Sequence, residues 1–351
     1  MKKPSIVRYL FYLGCGLVVY SILLFLLMKF EIGQPESQIS NIKDAIWYSV
    51  VTLTTVGYGD IVPKTPDGRL VGSIFILFSM GVYGLLIGQA ATIINSIKEN
   101  RKLGMNGTNF ECHVVIIGWT DFGKAVTDQL VAAGRKVAIV TKEKDNVDII
   151  QEYYSSRKVF VLFNDYNNIE MLDKVNIKNS STVFINLNDD TEKLVYILNL
   201  KKHYNSLTFI VTLDNANLKN TFMTAGVTYA ISRHEISSKL LASYIFEPDV
   251  ATYSEEIISF ASTDDDHDIK QFYVTKDNPY KGMPYIKVFF DLKKSCNAVL
   301  IGIVKNEKGK RTLYKNPHDE MTVQMGDYLI MISNGKSEGK ISKLFHTKEG
   351  L

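Results

Sequence analysis

The chain has 351 residues, a formal net charge of +3 and a mean hydropathy of +0.01. Its charges are unevenly distributed, because residues 1–97 carry twelve and the remaining 254 residues carry 65. This division predicts a membrane part joined to a water-soluble part and argues against a wholly soluble enzyme. The near-neutral balance argues against a nucleic-acid binder, which needs a basic surface. Three scattered cysteines indicate neither a disulfide framework nor a zinc site, and they fit a reducing cytosol.

Two segments are long enough to cross a bilayer. Tyr9 to Met28 gives 20 residues without a charge, which as a helix reach about 30 Å. A cleaved signal peptide is the alternative, but this run is too long for one and no small-residue cleavage site follows it. The second uncharged run, Leu70 to Ile97, has 28 residues. The start of the first run and the end of the second are predicted to face the cytosol, because basic residues beside a span prefer that side. These residues are Lys2, Lys3, Arg8, Lys98, Arg101 and Lys102.

A shorter apolar run lies between the two predicted spans. Ser40-Asn41 is typical of a helix start, Asp44 falls in the first turn, and the run Ile42 to Leu53 is too short to span. We therefore predict a half-helix that enters the membrane and returns. Such a segment is tolerated only where protein or water surrounds its non-helical backbone.

The segment after this half-helix has the composition of an ion filter. Gly57 and Gly59 permit the positive φ values that turn successive carbonyl groups to one side, and Thr55 adds a side-chain oxygen. Stacked carbonyls from four chains around one axis can replace the water that a cation loses. A glycine-rich turn between strands is the alternative, which the flanking apolar segments disfavour. The predicted filter residues are Thr55, Val56, Gly57, Tyr58, Gly59 and Asp60.

Residues 45–60, followed by Pro63 and Gly68-Arg69, resemble the pore of two-helix prokaryotic potassium channels. The resemblance covers about residues 5–97 and implies that K⁺ is the permeant ion. It also implies that Trp47 and Tyr48 pack around Tyr58 as an aromatic support for the filter.

The same resemblance shows two departures from the family pattern. Val51 stands where some members place a buried glutamate behind the filter. The family's hinge glycine is Ser79 here, with Gly81 and Gly84 nearby. These two glycines either let the inner helix bend or only permit close helix packing.

The rest of the chain alternates strands and helices. After a polar linker, continuous apolar strands predict a doubly wound, Rossmann-like parallel sheet with a ligand at the carboxyl ends of its strands. The expected strands are 114–117, 137–140, 159–163, 182–187, 207–213 and 227–232, with helices near 123–133, 190–203, 215–225 and 235–246. We predict a pore domain at 1–97, a linker at 98–109, a Rossmann-like lobe at 110–250 and a small α+β lobe at 251–351.

The first strand-to-helix turn partly matches a dinucleotide fingerprint. Thr120 replaces the second glycine, and Thr141-Lys142 stand where a carboxylate should meet the ribose, which favours a nucleotide whose phosphate reaches Lys142. The alternative is a turn that only packs a helix on a strand. No nucleophile, base or metal constellation accompanies the fold, so we do not expect an enzyme. The candidate nucleotide-binding residues are Gly118, Thr120, Asp121, Gly123, Thr141, Lys142 and Asp165.

With Phe163-Asn164-Asp165 and a β-rich segment from Ile269 to Ser333, residues 110–335 resemble an RCK domain, a regulator of potassium conductance. In the calcium-gated branch, an aspartate after the fourth strand and two glutamates after the fifth hold Ca²⁺. The matching residues here are Asn186, Thr212 and Asp214, so only one carboxylate remains and Ca²⁺ binding is expected to be weak.

A second candidate for a divalent cation is the acidic run Asp264-Asp265-Asp266-His267-Asp268. Its side chains offer the oxygen ligands that Ca²⁺ prefers. Such a run is more often a solvated surface.

These patterns together predict a ligand-gated, tetrameric potassium channel of the cell membrane. Its RCK ring is expected to bind Ca²⁺ or an adenine nucleotide, which is ADP, ATP or NAD. The alternatives are an RCK-regulated potassium transporter component, which carries four pore repeats where this chain has one, and a membrane-tethered nucleotide-dependent enzyme. Related channels use eight RCK domains, so Met105 is a candidate start for a separate soluble RCK product.

Overall fold

The computed structural model describes residues 6–204, 206–261, 263–307, 310–347 and 349–350, with the side chains of 6–13, 307 and 310 left out. The chain divides into two compact units, Met1–Glu99 and Asn100–Leu351. Lys2, Lys3 and the Arg8 side chain lie outside the described residues. The predicted domain boundaries stay predictions.

The first unit contains three helices: α1 (Ile6–Glu31), α2 (Ile42–Leu53) and α3 (Pro66–Lys102). By length and apolar composition, α1 and α3 can cross a membrane. The α2 helix has the predicted bounds, because Asn41 Oδ1 accepts hydrogen bonds from the N–H groups of Lys43 (2.8 Å) and Asp44 (3.2 Å) and so caps it. The α3 helix continues past the expected end at Ile97, since Lys98 and the residues after it are mostly good helix formers.

Aromatic side chains hold these helices together. Tyr20 of α1 and Tyr48 of α2 both pack edge-on against Phe75 of α3, with ring centroids 6.2 and 6.3 Å apart. Tyr20 also shares a 2.8 Å hydrogen bond with Ser49, whose side chain is buried. This packing fixes the position of α2, and therefore of the loop that follows it.

A buried carboxylate joins the end of α1 to the segment before α3. Glu31 is fully buried and accepts hydrogen bonds from Thr65 N (2.9 Å), Thr65 Oγ1 (2.6 Å), Lys64 N (3.1 Å) and Ser37 Oγ (2.6 Å). Thr65 Oγ1 in turn accepts from Gly68 N in the first turn of α3. Glu31 therefore holds the chain that leaves the predicted filter.

Glu31→Gln is expected to destabilise the protein by about 3 kcal/mol, because an amide nitrogen cannot accept two of these four hydrogen bonds and leaves partly buried donors unpaired. The measurement is the thermal midpoint of the purified protein in detergent. Glu36→Gln, at an exposed position in the same loop, is the control and is expected to leave the midpoint unchanged. Equal midpoints for the two variants would contradict this role.

The second unit begins with a six-stranded parallel sheet in the order β3-β2-β1-β4-β5-β6, which confirms the doubly wound prediction. Its strands are β1 (Val114–Ile117), β2 (Val137–Thr141), β3 (Val159–Phe163), β4 (Thr182–Ile185), β5 (Phe209–Leu213) and β6 (Tyr229–Ser232). The helices are α4 (Asp121–Ala132), α5 (Lys144–Tyr153), α6 (Asp190–His203), α7 (Lys219–Thr224) and α8 (Arg233–Phe246). Strands β1 to β5 are mostly buried because helices cover both faces of the sheet there, whereas Tyr229 and Ile231 of the edge strand β6 are exposed.

A smaller α+β lobe follows the helix α9 (Pro248–Ile258). Its antiparallel sheet has the order β7-β10-β8-β9. The remaining elements are β7 (His267–Tyr273), α10 (Tyr285–Cys296), β8 (Val299–Glu307), β9 (Lys310–Lys315), β10 (Tyr328–Asn334) and α11 (Gly335–Phe345). Alternating burial along β10 places Leu329 and Met331 in the core of this lobe.

Within the second unit, the residues that end α3 pack on the edge of the parallel sheet. Leu103 O accepts a 3.0 Å hydrogen bond from Phe163 N of the edge strand β3. Gln151 of α5 donates to Lys102 O (2.8 Å), and Lys102 Nζ lies 2.6 Å from a carboxylate oxygen of Asp148. The first part of the predicted linker is therefore ordered by hydrogen bonds to α5 and β3.

Candidate functional site

The predicted filter has an alternating backbone conformation. Thr55, Gly57 and Gly59 have φ values of +57°, +60° and +74°. The N–H groups of Val56 and Gly57 donate to Val51 O at 3.1 and 3.3 Å, which holds the start of the loop on the last turn of α2. The sequence indicated the two glycines but not Thr55, because a β-branched residue rarely adopts a positive φ.

Trp47 and Tyr48 have different surroundings. Trp47 stacks on Tyr58 with parallel rings 6.1 Å apart, and its Nε1–H donates to Asp60 Oδ2 at 2.9 Å. Tyr48 is buried against Phe75 instead, and its hydroxyl lies close to Gly72 of α3. Within one chain, Trp47 therefore holds Tyr58 and Asp60 of the predicted filter, and Tyr48 joins α2 to α3.

Trp47→Phe keeps an aromatic ring beside Tyr58 but removes the hydrogen bond to the Asp60 carboxylate. A bond to a charged group contributes about 1.5–3 kcal/mol, so we expect the steady-state K⁺ current to fall by roughly tenfold or more through loss of the conducting filter conformation. Macroscopic recording from membranes that hold equal amounts of channel measures this loss. Tyr83→Phe, which changes an aromatic residue of α3, is the control, and equal currents from the two variants would contradict the expectation.

The three predicted hinge positions lie in an unbroken part of α3. Ser79 is buried, and its hydroxyl donates to Ile76 O at 2.6 Å, a bond of the type that bends helices slightly. A Cβ at Gly81 or Gly84 would meet no atom of this chain within 4 Å. Which of these residues bends during gating stays a prediction.

At the carboxyl ends of the parallel strands, the first turn is closed by an amide side chain. Asn186, after β4, donates from Nδ2 to Gly118 O (3.2 Å) and to Thr120 Oγ1 (2.9 Å). Thr120 Oγ1 also accepts from Gly123 N (3.2 Å) and so caps α4, whose first residue is Asp121. A Cβ at Gly123 would lie 2.5 Å from Asn186 Nδ2. This packing supports the alternative interpretation of the turn, in which its glycines only allow α4 to pack close to the strands.

The other candidate nucleotide residues follow the neighbouring strands. Thr141 Oγ1 accepts from Glu143 N (3.2 Å), and Lys142 Nζ lies 5.8 Å from the centre of the Tyr166 ring. Asp165 is exposed and accepts from Asn167 N at 3.1 Å. The end of β1 meets the end of β2, and the end of β2 meets that of β3, through backbone hydrogen bonds. The strand order therefore brings these candidates to one edge, as expected.

The candidate metal residues do not converge. Asn186 faces the first turn, and Asp214 is paired with the Arg233 guanidinium. The carboxylate that reaches the end of β5 belongs to Asp190, which the sequence analysis did not select; it accepts from the N–H groups of Asp214 (3.1 Å) and Asn215 (3.0 Å). Burial raises the pKa of Asp190, but hydrogen bonds from Lys193 and these N–H groups bring it below its ordinary value.

The acidic run before β7 is dispersed as well. Asp265 pairs with Lys336, Asp266 Oδ2 accepts from Thr263 N (2.8 Å), and Asp268 is buried 3.3 Å from Lys270 Nζ. Asp264 lies against the start of α11 through its backbone. Within the described ranges, no group of three or more His, Cys, Asp and Glu side chains is arranged to hold a metal ion.

Comparison with known families agrees with this architecture. Residues 9–96 match the Ion channel family, and residues 114–233 match the TrkA-N domain family. The chain therefore joins an ion-channel domain to a TrkA-N domain, as in potassium channels that carry an RCK domain, to which it is similar, and it is a membrane protein.

Two relatives match over most of the chain, and a third matches only part of it. It is 25% identical to the calcium-gated potassium channel TvoK of Thermoplasma volcanium, over 86% of this chain and 85% of that one. It is 21% identical to potassium channel protein 1 of Methanocaldococcus jannaschii, over 88% and 89%. A voltage-gated potassium channel of Aeropyrum pernix is 39% identical over 25% of this chain and 30% of its own length.

The chain also matches two solved structures. The human SLO3 gating ring has a TM-score of 0.50 at 13% identity, over 67% of this chain and 46% of that one. The GsuK channel bound to NAD has a TM-score of 0.39 at 15% identity, over 97% and 59%. The chain thus spans less than two thirds of the length of these structures.

Proposed function

We propose that four copies of this chain form a potassium-selective channel whose opening is controlled by a ligand of its RCK domains. The observation that carries the proposal is the alternation of positive φ values at Thr55, Gly57 and Gly59 directly after a half-helix. One chain cannot surround an ion, whereas carbonyls from four chains can. Val56 and Tyr58 are 54% and 69% exposed in the single chain, which supports their being covered by neighbouring copies.

The channel is proposed to lie in the cell membrane with both termini in the cytosol. Lys98, Arg101 and Lys102 at the end of α3 support this orientation, because basic residues beside a span prefer the cytoplasmic side. The large charged unit that follows would then be cytosolic.

Two classes of ligand are candidates for control of the pore. One relative is named a calcium-gated channel, and the solved GsuK structures include one bound to NAD and one bound to ADP. The carboxyl ends of the strands beside Gly118 and Lys142 are the proposed position for an adenine nucleotide. A ligand of either class would open or close the pore only by its differential affinity for the two ring conformations.

Recording from the reconstituted full-length channel tests both parts of the proposal. With K⁺ and Na⁺ on opposite sides of a planar bilayer, the current is expected to reverse near the K⁺ equilibrium potential. Ca²⁺, ADP, ATP and NAD are then added in turn to the cytosolic side. Reversal at the Na⁺ potential would contradict K⁺ selectivity, and indifference to all four would contradict ligand control. Unchanged NAD after prolonged incubation is expected of a protein that is not an enzyme.

We further propose that a soluble RCK product starting at Met105 completes an eight-domain ring around four pore subunits. The proposal is motivated by the count, since a tetramer of this chain supplies four RCK domains. Met105→Ile is expected to remove a smaller band from the purified complex on a denaturing gel. An unchanged gel pattern would contradict the internal start.

A further inference from the structure

A fully buried lysine reaches the carboxyl ends of the parallel strands, where the ligand is predicted to bind. Lys193, in the first turns of α6, has no exposed side-chain surface. Its ammonium group lies 2.7 Å from Asp190 Oδ1 and donates to Thr212 O at 2.8 Å. Thr212 is at the end of β5, so the ammonium bridges the start of α6 and the end of a central strand.

The groups around this ammonium are those that a hard cation prefers. A carboxylate and a backbone carbonyl are oxygen ligands of the kind found in Ca²⁺ sites. The Asp190 carboxylate is itself oriented by the N–H groups of Asp214 and Asn215, which keep it directed at Lys193. Burying a lysine is costly unless its charge is paired, and here the pairing is complete in charge.

Another lysine of the same helix shows that this arrangement is particular. Lys201 also donates to two carbonyl oxygens, those of Ala225 (3.0 Å) and Gly226 (3.3 Å). It makes no carboxylate contact among the described residues, and part of it reaches solvent. Lys193 alone of the two combines full burial with a carboxylate at the strand edge.

We propose that the Lys193 ammonium takes the place of a divalent cation at the ends of β4 and β5 and thereby excludes Ca²⁺ from that position. The inference rests on the proposed function, because it concerns which ligand class controls the pore. Lys193 is then a specificity-determining residue. The positions expected from the sequence to hold Ca²⁺, namely Asn186, Thr212 and Asp214, bind no divalent cation because Asn186 faces the first turn and the Thr212 carbonyl is occupied.

Titration of the purified full-length channel with Ca²⁺, measured by isothermal titration calorimetry, tests this proposal. Wild type and Asp190→Asn are expected to give the same titration, since Asp190 is already neutralised in wild type. Lys193→Ala is expected to bind one Ca²⁺ per chain that wild type does not bind, because a single positive charge leaves an oxygen-lined position. Lys201→Ala is the matched control and is expected to titrate like wild type.

Two results would overturn the proposal. The first is wild-type Ca²⁺ binding that Asp190→Asn removes. The second is a Lys193→Ala channel that elutes as an assembled particle and titrates like wild type. If Lys193→Ala fails to fold, wild-type Ca²⁺ binding that Asp190→Asn removes would still overturn the proposal. Loss of K⁺ selectivity in the bilayer experiment would contradict the proposed function without affecting this titration.

Discussion

A channel that carries Gly57→Ala is expected to reach the membrane as an assembled particle and to pass no measurable K⁺ current. Gly57 has a φ of +60°, a conformation that costs an L-residue with a Cβ roughly 1–2 kcal/mol. The penalty occurs in all four proposed subunits around one axis. Relaxing it turns the carbonyl of Val56 or Gly57 away from the ion path, so that a dehydrated ion loses several of its oxygen ligands together.

The measurement is current from planar bilayers that contain equal amounts of variant and wild-type channel, with gel filtration to establish assembly. Gly16→Ala in α1 is the matched control, because Gly16 is helical and a Cβ there meets no atom within 4 Å. The control is expected to conduct like wild type. A Gly57→Ala channel with wild-type current would refute the assigned role of this residue.

The second large effect is expected from Gly104→Ala in the segment after α3. Gly104 has a φ of +77°, and a Cβ there would lie 2.2 Å from Val161 O and 3.0 Å from Leu162 Cα. Neither atom can move without displacing β3, so the segment must leave the sheet edge and lose the bond between Phe163 N and Leu103 O. We expect a loss of about 3 kcal/mol, because strain and steric overlap act together.

Differential scanning fluorimetry of the full-length protein measures this effect as a lower unfolding midpoint of the second unit, by roughly 5–10 °C. Gly134→Ala is the control, since Gly134 has nearly the same φ of +72° but a Cβ there meets nothing within 4 Å. The control isolates the backbone penalty of about 1 kcal/mol. Midpoints lowered equally in both variants would show that contact with β3 contributes nothing.

Local sequence patterns were sufficient to predict the helices of the first unit and the parallel sheet of the second. The half-helix Ile42–Leu53 was predicted at its observed bounds, because its cap and its apolar run are both local in sequence. The doubly wound parallel sheet also followed from alternating strands and helices, since crossovers between parallel strands have one favoured hand.

Contacts between side chains that are distant in sequence could not be predicted from local patterns. Tyr48 was expected beside Tyr58, but the approach of α3 places it against Phe75. Asn186 was expected at a metal position, but the spacing between β1 and β4 aims its amide at Gly118. Each outcome depends on the angle at which two elements pack, which neither segment encodes alone.

The sequence by itself determined two apolar helices long enough to cross a membrane, a glycine-containing segment that can form a filter, and a doubly wound sheet, because hydrophobic length, backbone freedom at glycine and strand–helix alternation are local properties. Only the tertiary structure decided that Asp190, Lys193 and the Thr212 carbonyl meet, and that Thr55 shares the left-handed backbone of the filter. These features arise from contacts across the fold, where burial and pairing outweigh the preferences of single residues.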